Sequence, residues 1–137
     1  VEPEASKPIP RGNERILLVD DDVIIAKSIC LLLEHLGYKV TALTSSEEAL
    51  KLFSGNPLHF DLVMTDQSMP FMTGKGLREG LMRIRPDIPV ILSTGSSDRI
   101  SPEQAMAMGF QGFMMKPFRV REAAELIRRV LDQKQFK

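Results

Sequence analysis

The chain has 137 residues, of which 43% are hydrophobic and 26% charged, and its 18 Lys plus Arg balance 18 Asp plus Glu. That length suits one domain with a real core, and a formal net charge of zero gives no support to a nucleic-acid or membrane partner held by bulk electrostatics. The lone Cys30 excludes an intrachain disulfide and a cysteine metal cluster, and no stretch reaches the roughly 18 apolar residues of a transmembrane helix.

Residues 1–13 are polar and Pro-rich and read as a linker that packs little. The first residue is Val rather than Met, which points to a segment of a longer protein, with vector residue or processing as the alternative. The globular part is expected over 14–133, with a short tail over 134–137.

Apolar runs then alternate with stretches of helical period. The runs are Arg15–Val19, Lys39–Leu43, Asp61–Thr65, Val90–Ser93 and Gly112–Met115. Between the first two, Ile25, Ile29, Leu32, Leu33 and Leu36 mark one helix face, which Gly37 stops. Ser45 with Glu48 forms a capping-box signature opening a second helix through Phe53. Leu77, Leu81 and Ile84 mark a third, although Gly76 and Gly80 weaken it by about 1 kcal/mol each relative to Ala. Ser101, Pro102 and Gln104 open a short fourth, ended by Gly109. Val120, Ala123, Ile127, Val130 and Leu131 mark a fifth.

Five β-α units predict an α/β fold with right-handed crossovers and a parallel sheet covered on both faces. The strands are continuous apolar runs for that reason. Every strand's carboxyl end then opens on one edge, where such sheets bind ligands. That edge collects Asp20, Asp21 and Asp22 after strand one, Asp66 after strand three, Ser93 and Thr94 from strand four, and Lys116 after strand five. Clustered carboxylates raise one another's pKa unless a cation relieves them. Mg²⁺ accepts a few carboxylates and completes its shell with water and phosphate oxygens. Lys supplies a compact positive charge and Thr a hydroxyl donor for phosphate. Asp66 is then a candidate nucleophile toward phosphorus, forming an acyl phosphate.

These residues carry a resemblance. Ile16-Leu17-Leu18-Val19-Asp20-Asp21, Asp66 with Met69-Pro70-x-Met72-x-Gly74, Ser93-Thr94-Gly95 and Lys116-Pro117-Phe118 resemble the receiver domain of two-component response regulators, over Arg15 to about Leu131. The resemblance implies a (βα)5 doubly wound five-stranded parallel sheet in flavodoxin-like order 2-1-3-4-5. It implies a phosphoacceptor rather than an enzyme, with Asp66 taking a phosphoryl group from a phosphohistidine. Asp21 and Asp66 would ligate Mg²⁺ directly with the backbone carbonyl of Ser68, and Asp20 would act mostly through a metal-bound water. Thr94 and Lys116 would hold the phosphoryl oxygens, with a cis peptide often found between the Lys and the Pro. Asp22 reads as a helix cap. Thr94 and Phe113 occupy the family's switch positions, although Phe113 reads equally as a static core residue. Ser68 and Ser96 stand at the positions that tune acyl-phosphate lifetime, and neither carries a carboxylate or amide, so self-dephosphorylation is expected to be slow.

The implied partner is a histidine kinase or histidine phosphotransfer domain, with no direct nucleic-acid or membrane contact and with room for a weak homodimer. The implied location is cytoplasmic, within a membrane-associated sensor kinase if the parent is one. The tract Arg85–Gly95 resembles receivers at the carboxyl end of hybrid sensor histidine kinases, with a stand-alone regulator as the alternative. Two competing readings are a Mg²⁺-dependent aspartyl-phosphate phosphatase and an unphosphorylated receiver-like interaction module. The first lacks the general acid such enzymes usually carry two residues after the nucleophile, where Ser68 stands. His35 and His59 have no partner at ligand spacing.

Overall fold

Five apolar runs become five strands: β1 (Arg15–Val19), β2 (Lys39–Leu43), β3 (Leu62–Thr65), β4 (Val90–Thr94) and β5 (Gly112–Met115). A computed structural model describes residues 7–134, apart from the side chains of Ser96 and Lys134. The expectations for residues 1–6 and 135–137, the ends of the linker and tail, lie outside those residues. All strand pairs are parallel, in the order β2-β1-β3-β4-β5. The helices between and after them are α1 (Val23–His35), α2 (Ser46–Gly55), α3 (Gly74–Ile84), α4 (Pro102–Ala107) and α5 (Val120–Lys134). Among the described residues no helix is long and apolar enough to cross a membrane.

Alternation along each strand splits the core into two layers. Ile16, Leu18, Leu62, Met64, Ile91 and Met114 pack with α1 and α5. Leu17, Val19, Val63, Val90 and Leu92 pack with α2, α3 and α4.

Local signals set the helix ends. Asp22 caps α1 by accepting from the amides of Ile24 and Ile25 at 3.0 and 3.1 Å. Ser45 accepts from Glu48 N at 3.2 Å, while the full reciprocal box forms at Ser101 and Gln104. Gly37 and Gly109 follow α1 and α4 with φ of +103° and +99°, a region costly for residues with a Cβ.

Three details differ from the sequence expectation. Ile84, read as part of the stripe of α3, is 37% exposed: it is the last residue of the helix, three beyond the fully buried Leu81. Gly80 is a packing residue as well as a weak helix former. A Cβ there would lie 3.1 Å from both Leu50 methyl carbons, so its absence lets α3 approach α2. Residues 7–13, within the segment read as a loosely packed linker, and Glu14, the first residue of the expected domain, are tied to α5. Arg121 donates to the Lys7 carbonyl, and Arg128 donates to the Arg11 carbonyl at 3.2 Å and pairs with Glu14 at 2.6 Å. These partners are more than a hundred residues apart in sequence, beyond the reach of local patterning.

Candidate functional site

The strand register builds the site. Val19 lies opposite Thr65, so the next residues, Asp20 and Asp66, leave adjacent strands side by side, at the roughly 4.8 Å interstrand spacing. Backbone bonds fix both: Asp20 N donates to Leu43 O at 3.1 Å and Asp66 N to Val19 O at 2.9 Å. Thr94 pairs with Met115, and Lys116 N donates to Thr94 O at 2.8 Å, which brings the last two residues to the same edge.

Asp20 and Asp66 are buried, at 2% and 8% exposure, while Asp21 is exposed at the rim. One carboxylate oxygen from each lies within 4.8 Å of the other two. Lys116 enters from β5. Its Nζ lies 2.7 Å from Asp20 Oδ2 and 3.3 Å from Asp66 Oδ1. Burial raises the pKa of Asp66, and the Asp20 charge adds to this against the opposing pull of Lys116. For Lys116, burial disfavours the ammonium, but the hydrogen bond and charge of Asp20, then the charge of Asp66, outweigh it and leave the pKa raised. Lys116 therefore stays protonated and neutralises part of the acidic cluster. The peptide bond between Lys116 and Pro117 is cis.

The loop after Asp66 is held close. Gly74 N donates to Gln67 O at 3.0 Å, and Lys75 N to Gln67 Oε1 at 3.0 Å. A Cβ on Gly74 would lie 2.2 Å from the Asp66 carbonyl oxygen, so only glycine fits behind the candidate nucleophile. Phe71, in the same loop, has φ +68° and is 94% exposed.

Sequence reasoning missed Asp98. After β4 the chain forms a 3-10 turn over Ser96–Asp98, and Asp98 N donates to Gly95 O at 3.1 Å. This returns the Asp98 carboxylate to the site, where one oxygen accepts the Ser68 hydroxyl and the other the Thr94 hydroxyl. Burial opposes its charge, but those two hydrogen bonds, the backbone contact in the turn and Lys116 together lower its pKa. An acid in a Gly-Ser loop reads as solvated; the only signal was its position four residues after Thr94. Of the expected residues, Asp20, Asp21, Asp66 and Lys116 come together. Thr94 is fully buried and Ser68 exposed, both turned to Asp98. Phe113 is half-buried against the α2/α3/α4 layer. The Ser96 side chain lies outside the described atoms.

Beside the acids lies an apolar cleft of about 410 Å³, walled by α1 residues Ile24, Ile25, Ile29 and Leu32 and by Pro117 and Phe118.

The profile of the response regulator receiver domain matches residues 16–129, most of the chain. The chain belongs to the response regulator receiver domain family. Receiver domains generally bind Mg²⁺ in an acidic pocket, and those of two-component systems interact with histidine kinases or phosphotransfer proteins. A two-component response regulator of Arabidopsis thaliana, ARR12, is 35% identical over 93% of this chain and 21% of its own length. A probable transcriptional regulator of Cyanidium caldarium, ycf27, is 33% identical over 88% of this chain and 47% of its own. The chain thus spans between about a fifth and a half of these relatives. Among solved receiver domains, one from Clostridium thermocellum is similar with a TM-score of 0.83 and 31% identity, over 90% of this chain and 98% of that one. Another, from Methanospirillum hungatei, has a TM-score of 0.78 and 32% identity, over 91% and 98%.

Proposed function

We propose that this receiver domain is a phosphoacceptor in which Asp66 takes a phosphoryl group from a phosphohistidine on a histidine kinase or histidine phosphotransfer domain. The observation that carries the reading is Lys116 Nζ lying between Asp20 and Asp66 at 2.7 and 3.3 Å, against a three-carboxylate cluster. An ordinary surface cluster of acids has no need of a buried ammonium. An acyl-phosphate site needs one, to meet the charge that arrives with the phosphoryl group.

The donor set fits a hard divalent cation. Three carboxylates offer oxygens within 4.8 Å of one another, and oxygen ligands suit Mg²⁺. Asp21 and Asp66, with the Ser68 carbonyl and with Asp20 through water, would hold it. When bound, it supplies charge neutralisation for the phosphoryl oxygens.

The chain's own residues supply the remainder. An Asp66 Oδ attacks phosphorus in line; the new O–P bond forms as the P–N bond to the donor imidazole breaks, and the imidazole keeps the bonding pair. Lys116 donates to a phosphoryl oxygen while remaining near Asp20. Thr94 offers its hydroxyl to another. Gly74, packed against the Asp66 carbonyl, keeps the nucleophile from shifting backward. The domain catalyses its own modification and does not turn over as an enzyme.

The donor docks on the apolar cleft between α1 and Phe118, where Ile24 is 78% exposed. An exposed apolar rim beside an acidic pocket suits a helical partner that must bring an imidazole to Asp66. For the wider protein we propose a hybrid sensor histidine kinase, on the likeness of Arg85–Gly95, and the flanking coding sequence tests this by encoding a kinase core or not.

Incubation with Mg²⁺ and acetyl phosphate, followed by intact mass, tests the central reading. The expected result is a gain of one phosphoryl group that is lost in Asp66→Ala. No gain with any small donor, or a gain that persists in Asp66→Ala, overturns it.

A further inference from the structure

Thr94 is fully buried, and its hydroxyl proton is already committed: it goes to one carboxylate oxygen of Asp98, whose other oxygen takes the Ser68 hydroxyl. A hydroxyl has one proton to give. The Thr94 proton cannot serve Asp98 and a phosphoryl oxygen on Asp66 together. Asp98 is anchored by its own turn, through the bond from its amide to Gly95 O, and is not one of the three clustered acids Asp20, Asp21 and Asp66. It spans the two loops that follow β3 and β4, tying the residue two after Asp66 to Thr94.

We propose that Asp98 is a positioning residue that latches the unphosphorylated state by holding the Thr94 and Ser68 hydroxyls away from the phosphoryl site. Resting on the reading of Asp66 as phosphoacceptor, it makes phosphorylation a competition. A phosphoryl group on Asp66 draws the Thr94 hydroxyl to itself, and its negative charge repels the Asp98 carboxylate as they share the field of Lys116. The 3-10 turn is then released from β4. The affinity of the site for a phosphoryl group is lowered by the free energy of the Asp98–Thr94 bond, and the active conformation stays scarce until Asp66 is modified.

The test uses beryllofluoride with Mg²⁺ as a phosphoryl mimic, its affinity measured by calorimetry or fluorine NMR in wild type, Asp98→Ala, Thr94→Ala and the double variant. Asp98→Ala is expected to bind about tenfold more tightly than wild type, the size of one net hydrogen bond to a charged group. In the Thr94→Ala background the same substitution is expected to tighten binding clearly less than in wild type, because the Thr94 hydroxyl is gone and only the Ser68 bond and the charge of Asp98 remain to be relieved. Asp98→Asn, which keeps the side-chain shape, gives a smaller gain in the same direction and serves if the alanine variant does not fold. Unchanged or weaker binding in the Asp98 variants overturns the latch. So does equal tightening in both backgrounds, which would mean that loss of charge alone is felt. If wild type neither binds the mimic nor gains a phosphoryl group from acetyl phosphate, the phosphoacceptor reading fails and the latch with it. If it does both and Asp98 has no effect, the latch alone fails.

Discussion

Lys116→Met removes the ammonium while keeping most of the apolar stem, and its cost should depend on whether a divalent cation is present. The Nζ contacts are 2.7 Å to Asp20 and 3.3 Å to Asp66, with the three side chains at 14%, 3% and 10% exposure. At an effective dielectric of about 20, each contact represents roughly 5–6 kcal/mol of attraction before solvation is counted. Desolvation of the ammonium offsets much of this, and removing one partner of a buried pair costs about 3–5 kcal/mol. Part is recovered as water reaches the two carboxylates in place of the ammonium. A net loss of about 2–4 kcal/mol is expected in metal-free buffer. Urea unfolding at neutral pH with a chelator measures it. Repeating both titrations at one Mg²⁺ concentration, about a hundred times the wild-type dissociation constant, adds roughly 2.7 kcal/mol to wild type from binding to the folded state alone, and the variant, whose acids no longer share an ammonium, should bind Mg²⁺ more tightly and gain more. An equal loss with and without Mg²⁺ would refute the reasoning, since Lys116 would then be supporting the fold and not balancing the carboxylates.

Three further outcomes follow from the geometry. Gly74→Ala places a Cβ where the Asp66 carbonyl oxygen lies 2.2 Å away, so it should cost about 1–3 kcal/mol, the usual range for overpacking, and slow acetyl-phosphate labelling; unaltered labelling would show that the loop moves freely. The hydrogen bond from Arg128 holds the Glu14 carboxyl below its ordinary value, against its partial burial. A carboxylate with a depressed folded pKa stabilises above its unfolded pKa and loses that contribution as pH falls through the folded one. Glu14→Gln should therefore cost about 1 kcal/mol at pH 7 and much less at about pH 3, measured by chemical denaturation at both. Phosphorylated Asp66 should decay slowly, and Ser68→Asn, which brings an amide that can orient water, should speed decay several-fold; a short-lived wild-type phosphate unaffected by the substitution would remove that expectation.

Which parts of this were legible in sequence depended on how local their causes were. The strands and their parallel pairing followed from short apolar runs, and with them the convergence of Asp20, Asp66, Thr94 and Lys116, because one register places every carboxyl end on one edge. Asp22 was legible as a cap since capping needs only the next three residues. Asp98 was not, because its role depends on a single 3-10 turn that no periodic pattern announces. The attachment of residues 7–14 to α5 was hidden for another reason. It is made by Arg121 and Arg128, at the far end of the chain. Gly80 looked like a propensity cost and proved to be an interhelix contact, which composition cannot distinguish.

The division of the core into two layers has a consequence for how a signal would spread. Thr94 continues the alternation of Val90 and Leu92, which face the α2/α3/α4 layer, and Phe113 packs on that side too. Ile91 and Met114, one residue along, belong to the other layer. Motion of Thr94 on leaving Asp98 is therefore delivered to one side of a sheet whose hydrogen-bonded strands act as a partition. Amide exchange in α4 and the turn before it should quicken or slow with modification, while the buried amides of α1 and α5 hold steady as an internal reference within the same molecule.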